Sequence, residues 1–485
     1  MSPVIATYTL LAYFGMLFLI SLWTSRNSNA ETFFTANKKS PWMLVAYGML
    51  GVAISGITFI SVPGEVANSQ FTYFQLVIGY SIGLVVIATV LLPLYYRLKL
   101  VSIYEYLEAR FGFWTYKTGA AFFILAQTFT ASFKLFLMAG VLQIALFNHI
   151  GVPFEITVLV TLLLIWLYTF RGGIKTVVIT DTLQTTFLVF AVISSIWFIG
   201  RELDWNALQL FRSVTHHPDF RMFVWDWSSP RNFFKLVMTG IFLTVVTNGL
   251  DHSVMQKHLT CPNIRESQKN MFTLSALLLV VNLLFLSLGL LLIIYAGQKG
   301  IALPARTDDI YPLLALNDFS PVIGILFLLG ISAAAYSSAD SALTGLTTSF
   351  CVDFLNFEKK QMPITVRTLV HFGFSMLIYI VILVFRWLNN DSVLNAFIRI
   401  SGYVYGPLLG LFIFGMFSRV KIRDSLVPVI CIAAPVLSVV LYYHSGAWFN
   451  YRFGFEILLV NALLTILGLY LVKQKSAGIN IRSVS

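Results

Sequence analysis

The sequence predicts an all-α polytopic membrane protein, and three observations carry that reading. Hydrophobic residues fill 58% of the 485 positions and charged residues only 11%, at a mean hydropathy of +0.82. Soluble domains carry about 25% charged residues, so this chain has too little polar surface to cover a water-facing core. Apolar stretches near the length of about 20 residues that a helix needs to cross a bilayer recur thirteen times. Basic residues then collect in every second connection between them.

The stretches run over 4–23, 42–64, 74–96, 119–147, 154–170, 176–199, 233–256, 271–296, 320–350, 368–388, 393–417, 425–443 and 454–472. One set of connections holds Arg26, Lys38 and Lys39, then Arg97, Lys99, Arg110 and Lys117, Arg171 and Lys175, and Lys257, Arg265 and Lys269. The same set continues with Lys359, Lys360 and Arg367, Arg419, Lys421 and Arg423, and Lys473, Lys475 and Arg482. By the positive-inside rule these face the cytoplasm, with the N-terminus outside and the C-terminus inside. An odd number of spans requires that difference. Two long outer connections remain, 200–232 with Trp205, Trp225 and Trp227, and 297–319 with Asp308 and Asp309.

The net charge of +11 is dispersed through short loops without a basic stripe, which points to membrane topology and away from nucleic acid. Cys261, Cys351 and Cys431 are too far apart to suggest a disulfide framework or a metal site. The seven histidines show no metal spacing and read as loop or end positions. The first apolar stretch lacks a small-residue cleavage site and reads as a retained span.

Chemistry concentrates in 330–350, GISAAAYSSADSALTGLTTSF. On a helix, Ala334, Ser337, Ser338 and Ser341 fall at i, i+3, i+4 and i+7, which places hydroxyls and a carbonyl on one face. Small and hydroxyl residues also make packing seams between membrane helices. Asp340 weighs against a bare seam, because a carboxylate at membrane depth costs about 2.5–3.5 kcal/mol and is kept for ions, protons or polar solutes. Two further stretches read as interrupted helices. One holds Gly48, Gly51, Gly56, Pro63 and Gly64 with Ser55, Thr58 and Ser61 between them, and the other holds Asn248, Gly249, Asp251 and His252. They open two halves of similar length, the pattern that marks a midplane binding site in inverted-repeat carriers, with simple kinks as the alternative.

Six segments carry a resemblance to a known family. They are SGITFISVPGEV (55–66), YYRLKLVSIYEYLEARFG (95–112), RGGIKTVVITDTLQ (171–184), VMQKHLTCPNIRESQ (254–268), AAAYSSADS (333–341) and GYVYGPLLGLFIFGMF (402–417). In order and spacing the chain resembles the sodium/solute symporters, most nearly the sialic acid, monocarboxylate and iodide branch. The resemblance implies a LeuT-type inverted repeat of five plus five helices, with one helix before and two after. The expected parts are 1–41, an extra helix and cytoplasmic loop; 42–232 and 233–424, the two repeats; and 425–485, two further helices and a basic tail.

It also implies a main sodium site from the carbonyls of Gly51, Ile54 and Ala334 and the hydroxyls of Ser337 and Ser338. A hard cation favours such oxygens. Asp181 matches the acidic residue that forms a second sodium site in the sialic acid carriers, with Ser337, Asp340 and Ser341 at the facing positions. Asp340 departs from the serine found there, and two carboxylates beside one small site repel unless a cation or proton lies between them. Arg399 is the alternative partner for Asp340. On the solute side Ser55 and Thr58 match hydroxyls that hold a carboxylate. Gln75 or Tyr80 stands near the expected glutamine, Thr130 near the expected arginine with Lys134 one turn on, and Asp251 where relatives have Asn or Ser. Lys134 reads equally as a counter-ion for an anionic solute or as a snorkelling or internally paired base.

The expected function is sodium-coupled import of a small polar organic solute, a sugar, sialic acid or other organic anion, with no enzyme chemistry. Proton-linked or dual-cation carriage, a transporter-like sensor and a channel are the alternatives. The expected partners are the solute, sodium ions and membrane lipid, without nucleic acid or an obligate protein. The expected location is the plasma membrane, the inner membrane of a bacterium.

Overall fold

Each of the thirteen apolar stretches is helical over most of its described residues. The computed structural model describes residues 2–25, 40–98, 103–169, 174–355, 364–388, 392–451 and 453–474, with backbone alone at 21–25, 98, 103, 167–169, 174–178, 252–253, 337–338, 340–341 and 364. In chain order the helices are α1 (Pro3–Ser25), α2 (Trp42–Ala53), α3 (Gly56–Ser69), α4 (Tyr73–Val86), α5 (Leu92–Leu98), α6 (Ile103–Arg110) and α7 (Phe113–Ala145). They continue with α8 (Phe154–Thr169), α9 (Ile174–Glu202), α10 (Ala207–Thr215), α11 (Phe233–Thr244), α12 (His252–His258) and α13 (Ile264–Lys299). The last are α14 (Ile310–Leu313), α15 (Pro321–Ser349), α16 (Ile364–Leu388), α17 (Val393–Phe417), α18 (Val427–Phe449) and α19 (Ile457–Leu471). Among the described residues eight helices are long and apolar enough to cross a bilayer, nine when α2 and α3 count as one bent span, and four shorter apolar helices accompany them.

The α2–α3 rod bends by 60° between Ala53 and Gly56. Ile54 leaves the helical region at ψ 77° and Ser55 is fully extended at ψ 176°. The residue pattern explains the position. Ser55 and Gly56 tolerate non-helical backbone, whereas Pro63 sits inside α3 without breaking it. The second rod yields at the matching place, where α11 relaxes into a π turn over Val245–Gly249 and helix resumes at His252.

Around these rods the core closes through α9 against α2 and α15, α13 against α3 and α4, and α7 against α15 and α17. Helices α4 and α11 pack backbone to backbone. A Cβ on Gly79 would meet the Val237 carbonyl oxygen, and a Cβ on Gly240 the Leu76 carbonyl oxygen. Small residues therefore set this approach, as expected between membrane helices. Gly240→Val should force the pair apart at a cost of about 1–3 kcal/mol, read as a lower midpoint of thermal aggregation on size exclusion.

The short helix α6 packs against α7 and α17, and Arg110 Nη2 donates to the carbonyls of Ser418 (2.6 Å) and Val420 (3.2 Å). The Asp424 carboxylate accepts from the amides of Trp114 and Thr115, both at 2.8 Å, and so caps α7.

Candidate functional site

The first break leaves backbone oxygens without partners. Among the described residues the carbonyls of Gly51 and Ile54 accept no hydrogen bond, although Ile54 is fully buried. Buried carbonyls are nearly always satisfied, so these are poised for a ligand from outside the fold. The second break differs. Tyr95 donates to the Gly249 carbonyl and Tyr104 to that of Leu250, each at 3.1 Å. Hydroxyls already occupy the oxygens freed there, whereas those of Gly51 and Ile54 at the first break stay open among the described residues.

The break lies against α15 and α7. A Cβ on Gly56 would sit 3.6 Å from Ala335 Cβ, Ile331 Cδ1 and the Lys134 carbonyl. Ala334 is buried on the same helix, and the backbone of Ser337 and Ser338 follows within the next turn. The helix that carries Ala334, Ser337 and Ser338 therefore packs against the first break, where Gly51 and Ile54 lie. The side chains of Ser337, Ser338, Asp340 and Ser341 lie outside the described residues, as does any pairing of Asp340 with Arg399.

Asp181 lies on α9, one turn before Thr185, which packs on Gly51 and donates to the Asp181 carbonyl at 2.8 Å. Its carboxylate accepts from Lys257 Nζ at 2.9 Å, with the two side chains 3% and 5% exposed. The sequence reading counted Lys257 among cytoplasmic loop bases. Instead its ammonium turns inward from α12, and the adjacent His258 is likewise buried, with Nδ1 bonded to Asn270 Nδ2 at 2.9 Å. A terminal position in sequence proves interior in space because α12 packs among α2, α13 and α15.

The polar groups expected to meet solute separate into two sets. Ser55, Thr58 and Lys134 have no side-chain hydrogen bond or ion pair among the described residues, and all three belong to the first break or to the α7 segment beside it. The charges acting on Lys134 are Asp251, of opposite sign, and Lys257. Asp251 opens the second break. Its Oδ2 accepts from Gln127 Nε2 at 3.0 Å and its Oδ1 from the Val254 amide at 3.2 Å. Thr130 is buried on α7 facing Tyr405 of α17. Gln127 and Lys134 are seven residues apart on α7 and share a face.

The other candidates face elsewhere. Gln75 donates to the carbonyls of Thr72 (3.2 Å) and Arg231 (3.0 Å) and accepts from the Val224 amide (3.0 Å). That carboxamide is committed to pinning the outer connection, and the structure does not bring it to either break. Tyr80 lies beside Tyr73 on α4. Gln127, Tyr405, Tyr95 and Tyr104 were not singled out from the sequence, since nothing in their spacing separates them from core residues.

Outside the breaks, the connection after α13 is seated on α3 and α17. Asn68 Nδ2 donates to Thr307 Oγ1 at 3.1 Å, and Asp308 Oδ2 accepts from the Val393 amide at 2.7 Å. Glu65 accepts from Asn68 and Asn395, both at 3.4 Å, and lies 3.9 Å from Arg231. A cavity of about 650 Å³ opens beside this seal, lined among others by Asn68, Gln70, Asp219 and Arg231.

Burial pushes the Asp308 carboxyl above its ordinary range, against the Val393 amide, the Ser61 hydroxyl and Arg306, which pull it down. A raised carboxyl stabilises the seated connection below the ordinary aspartate range, and that contribution is lost as pH climbs through the raised value. Asp308→Asn should keep the Val393 bond while removing this dependence. Melting curves of wild type should then rise as pH falls from neutrality toward the carboxylate range, and those of the variant should rise less, since burial also raises the neighbouring Asp309 carboxyl.

Comparisons with known proteins show likeness in sequence and in fold. A sequence profile described as the sodium:solute symporter family matches residues 33–427. The chain is 27% identical over 449 residues to a sodium/sialic acid symporter of Aliivibrio fischeri, covering 89% of this chain and 86% of that one. It is 26% identical over 447 residues to a sodium/sialic acid symporter of Proteus mirabilis, covering 88% of each. A solved structure of a sodium-coupled sialic acid symporter, substrate-bound and outward-open, superposes with a TM-score of 0.78 at 23% identity, covering 96% of this chain and 97% of that one. That likeness establishes the fold.

Proposed function

The chain belongs to the sodium:solute symporter family and is a sodium-coupled membrane carrier, and on that premise we propose that its solute is a small organic anion held at the first break. The observation that carries this reading is Lys134, a half-buried lysine whose side chain has no hydrogen bond or ion pair among the described residues and whose backbone carbonyl lies against Gly56, in the break that also holds the unpartnered hydroxyls of Ser55 and Thr58. An ammonium and two hydroxyl donors suit a carboxylate. Asp251, Gln127 and Thr130 across α7 suit the hydroxyl or amine groups of the remainder. Sodium at the carbonyls of Gly51, Ile54 and Ala334 and the hydroxyls of Ser337 and Ser338 joins α15 to the broken rod and orders the solute site. Thirteen crossings, with the N-terminus outside and the C-terminus in the cytoplasm, complete this reading, and a bacterial inner membrane is the setting it fits.

The charge count sets what the carrier can accomplish. One sodium ion with a monovalent anion is electroneutral, so a tenfold sodium gradient supports only about tenfold accumulation, or about 1.4 kcal/mol. A second cation adds about 1.4 kcal/mol from its gradient and about 2.3 kcal/mol from a potential of 100 mV. Uptake into proteoliposomes at zero and at inside-negative potential therefore reads the cation count.

The solute class is tested by thermal shift of the purified protein with monocarboxylates, sialic acids, neutral sugars and amino compounds. Carboxylates should stabilise it in sodium and not in potassium, and Lys134→Met should remove the effect. Stabilisation by neutral sugars alone, or equal effects in both salts, would overturn the reading.

A further inference from the structure

The buried pair between Asp181 and Lys257 joins two elements that a carrier must move relative to one another. Lys257 sits on α12, the short helix beyond the second break, whose hinge is Leu250 and Asp251. Asp181 sits on α9, which continues without a break and holds Thr185 against Gly51 just below the first break. The pair thus ties the short helix beyond the second break to the helix that walls the first.

It is also a cation already in place. At 2.9 Å the ammonium takes a lone pair of Asp181 Oδ2, the carboxylate to which the sequence resemblance gives a sodium ion. Ammonium and sodium each carry one positive charge and seek the same oxygens. In so dry a setting, with side chains 3% and 5% exposed, two such charges on one oxygen repel strongly. Lys134 adds a further positive charge nearby, and Asp251 is the second carboxylate within its reach.

We propose that Lys257 is a tethered rival for the diffusible cation at Asp181: ammonium and sodium hold the carboxylate in turn, and the exchange releases α12 from α9. The proposal rests on the sodium-symport reading and adds the device by which cation binding at this position is converted into movement of a half-rod. It gives a consequence opposite to that of a passive strut. Removing the lysine charge should tighten sodium binding, whereas removing a strut should weaken it or leave it unchanged.

The test is displacement of radioactive sodium by unlabelled sodium on the full-length chain in lipid nanodiscs. Lys257→Met should bind sodium roughly tenfold more tightly, inside the 5- to 150-fold span typical of coupled sites. Lys257→Arg should stay near wild type, and Asp181→Asn combined with Lys257→Met should lose the gain. A second measurement keeps the charge in place: thiol labelling of Leu259→Cys at the end of α12 should rise in sodium and not in potassium. Unchanged or weaker sodium binding in Lys257→Met, or labelling insensitive to sodium, overturns the proposal while wild-type binding leaves the symport reading standing. Absence of displaceable sodium in wild type overturns both.

Discussion

Gly64→Val is expected to leave sodium binding intact and to reduce solute exchange by about 100-fold or more. Gly64 lies on α3 beneath the seated outer connection, where an added Cβ would meet the Thr307 carbonyl oxygen, its carbon at 2.8 Å and the Asp308 amide nitrogen at 3.4 Å. These are backbone atoms, so no change of rotamer relieves the clash. Forcing extra carbons into such a contact costs about 1–3 kcal/mol, and the valine methyls add to the single Cβ. The cost falls on the state in which the connection is seated, because the open state separates the two surfaces. A shift of about 2.7 kcal/mol changes a two-state population roughly 100-fold. The check is counterflow of labelled solute together with sodium displacement on the same preparation. Gly140→Ala, on α7 with open space around its Cα, serves as the control and should exchange normally. Wild-type exchange in Gly64→Val would show that the connection does not seat during the cycle.

How much of this was visible beforehand follows from what a linear pattern can encode. The helical stretches were legible because a bilayer demands a run of apolar residues of fixed length. The first break was legible because Ser55 and Gly56 interrupt such a run, and the second because Asn248, Gly249 and Asp251 do the same. What the pattern cannot encode is which neighbouring rod a polar side chain reaches. Gln75 stands within a turn of the expected glutamine, yet its carboxamide is spent on the Val224–Arg231 backbone. Lys257 follows an apolar run and is followed by Arg265 and Lys269, so charge counting assigns it to a loop. Its direction is decided by α12 packing among α2, α13 and α15, which brings its ammonium to Asp181 of α9, a tertiary fact. Tyr95 and Tyr104 look like ordinary aromatic residues near a membrane surface until their hydroxyls are seen on the freed carbonyls of Gly249 and Leu250. That detail distinguishes the break whose carbonyls are satisfied from the one whose carbonyls are open, and spacing alone carries no trace of it.

Asp251→Ala should lower solute transport by about 100-fold and destabilise the fold at the same time, and the two effects can be separated. The carboxylate satisfies Gln127 through one oxygen and caps α12 at Val254 through the other. Losing the first strands a buried donor at about 1–3 kcal/mol. Losing the second removes a cap worth about 1 kcal/mol. Lys134 also loses the opposite charge that acts on it. Asp251→Asn should fall between wild type and Asp251→Ala, because a carboxamide offers one acceptor to two donors and turns its own N–H groups toward one of them. Replacing both members of a buried hydrogen-bonded pair by apolar groups costs less than orphaning one. Gln127→Leu combined with Asp251→Ala should therefore recover part of the lost melting temperature. It should recover no transport if Asp251 faces the solute, since the group that meets the hydroxyl or amine is still missing. Recovery of both together would reduce Asp251 to a structural cap, and transport within threefold of wild type in Asp251→Ala would remove it from the solute site.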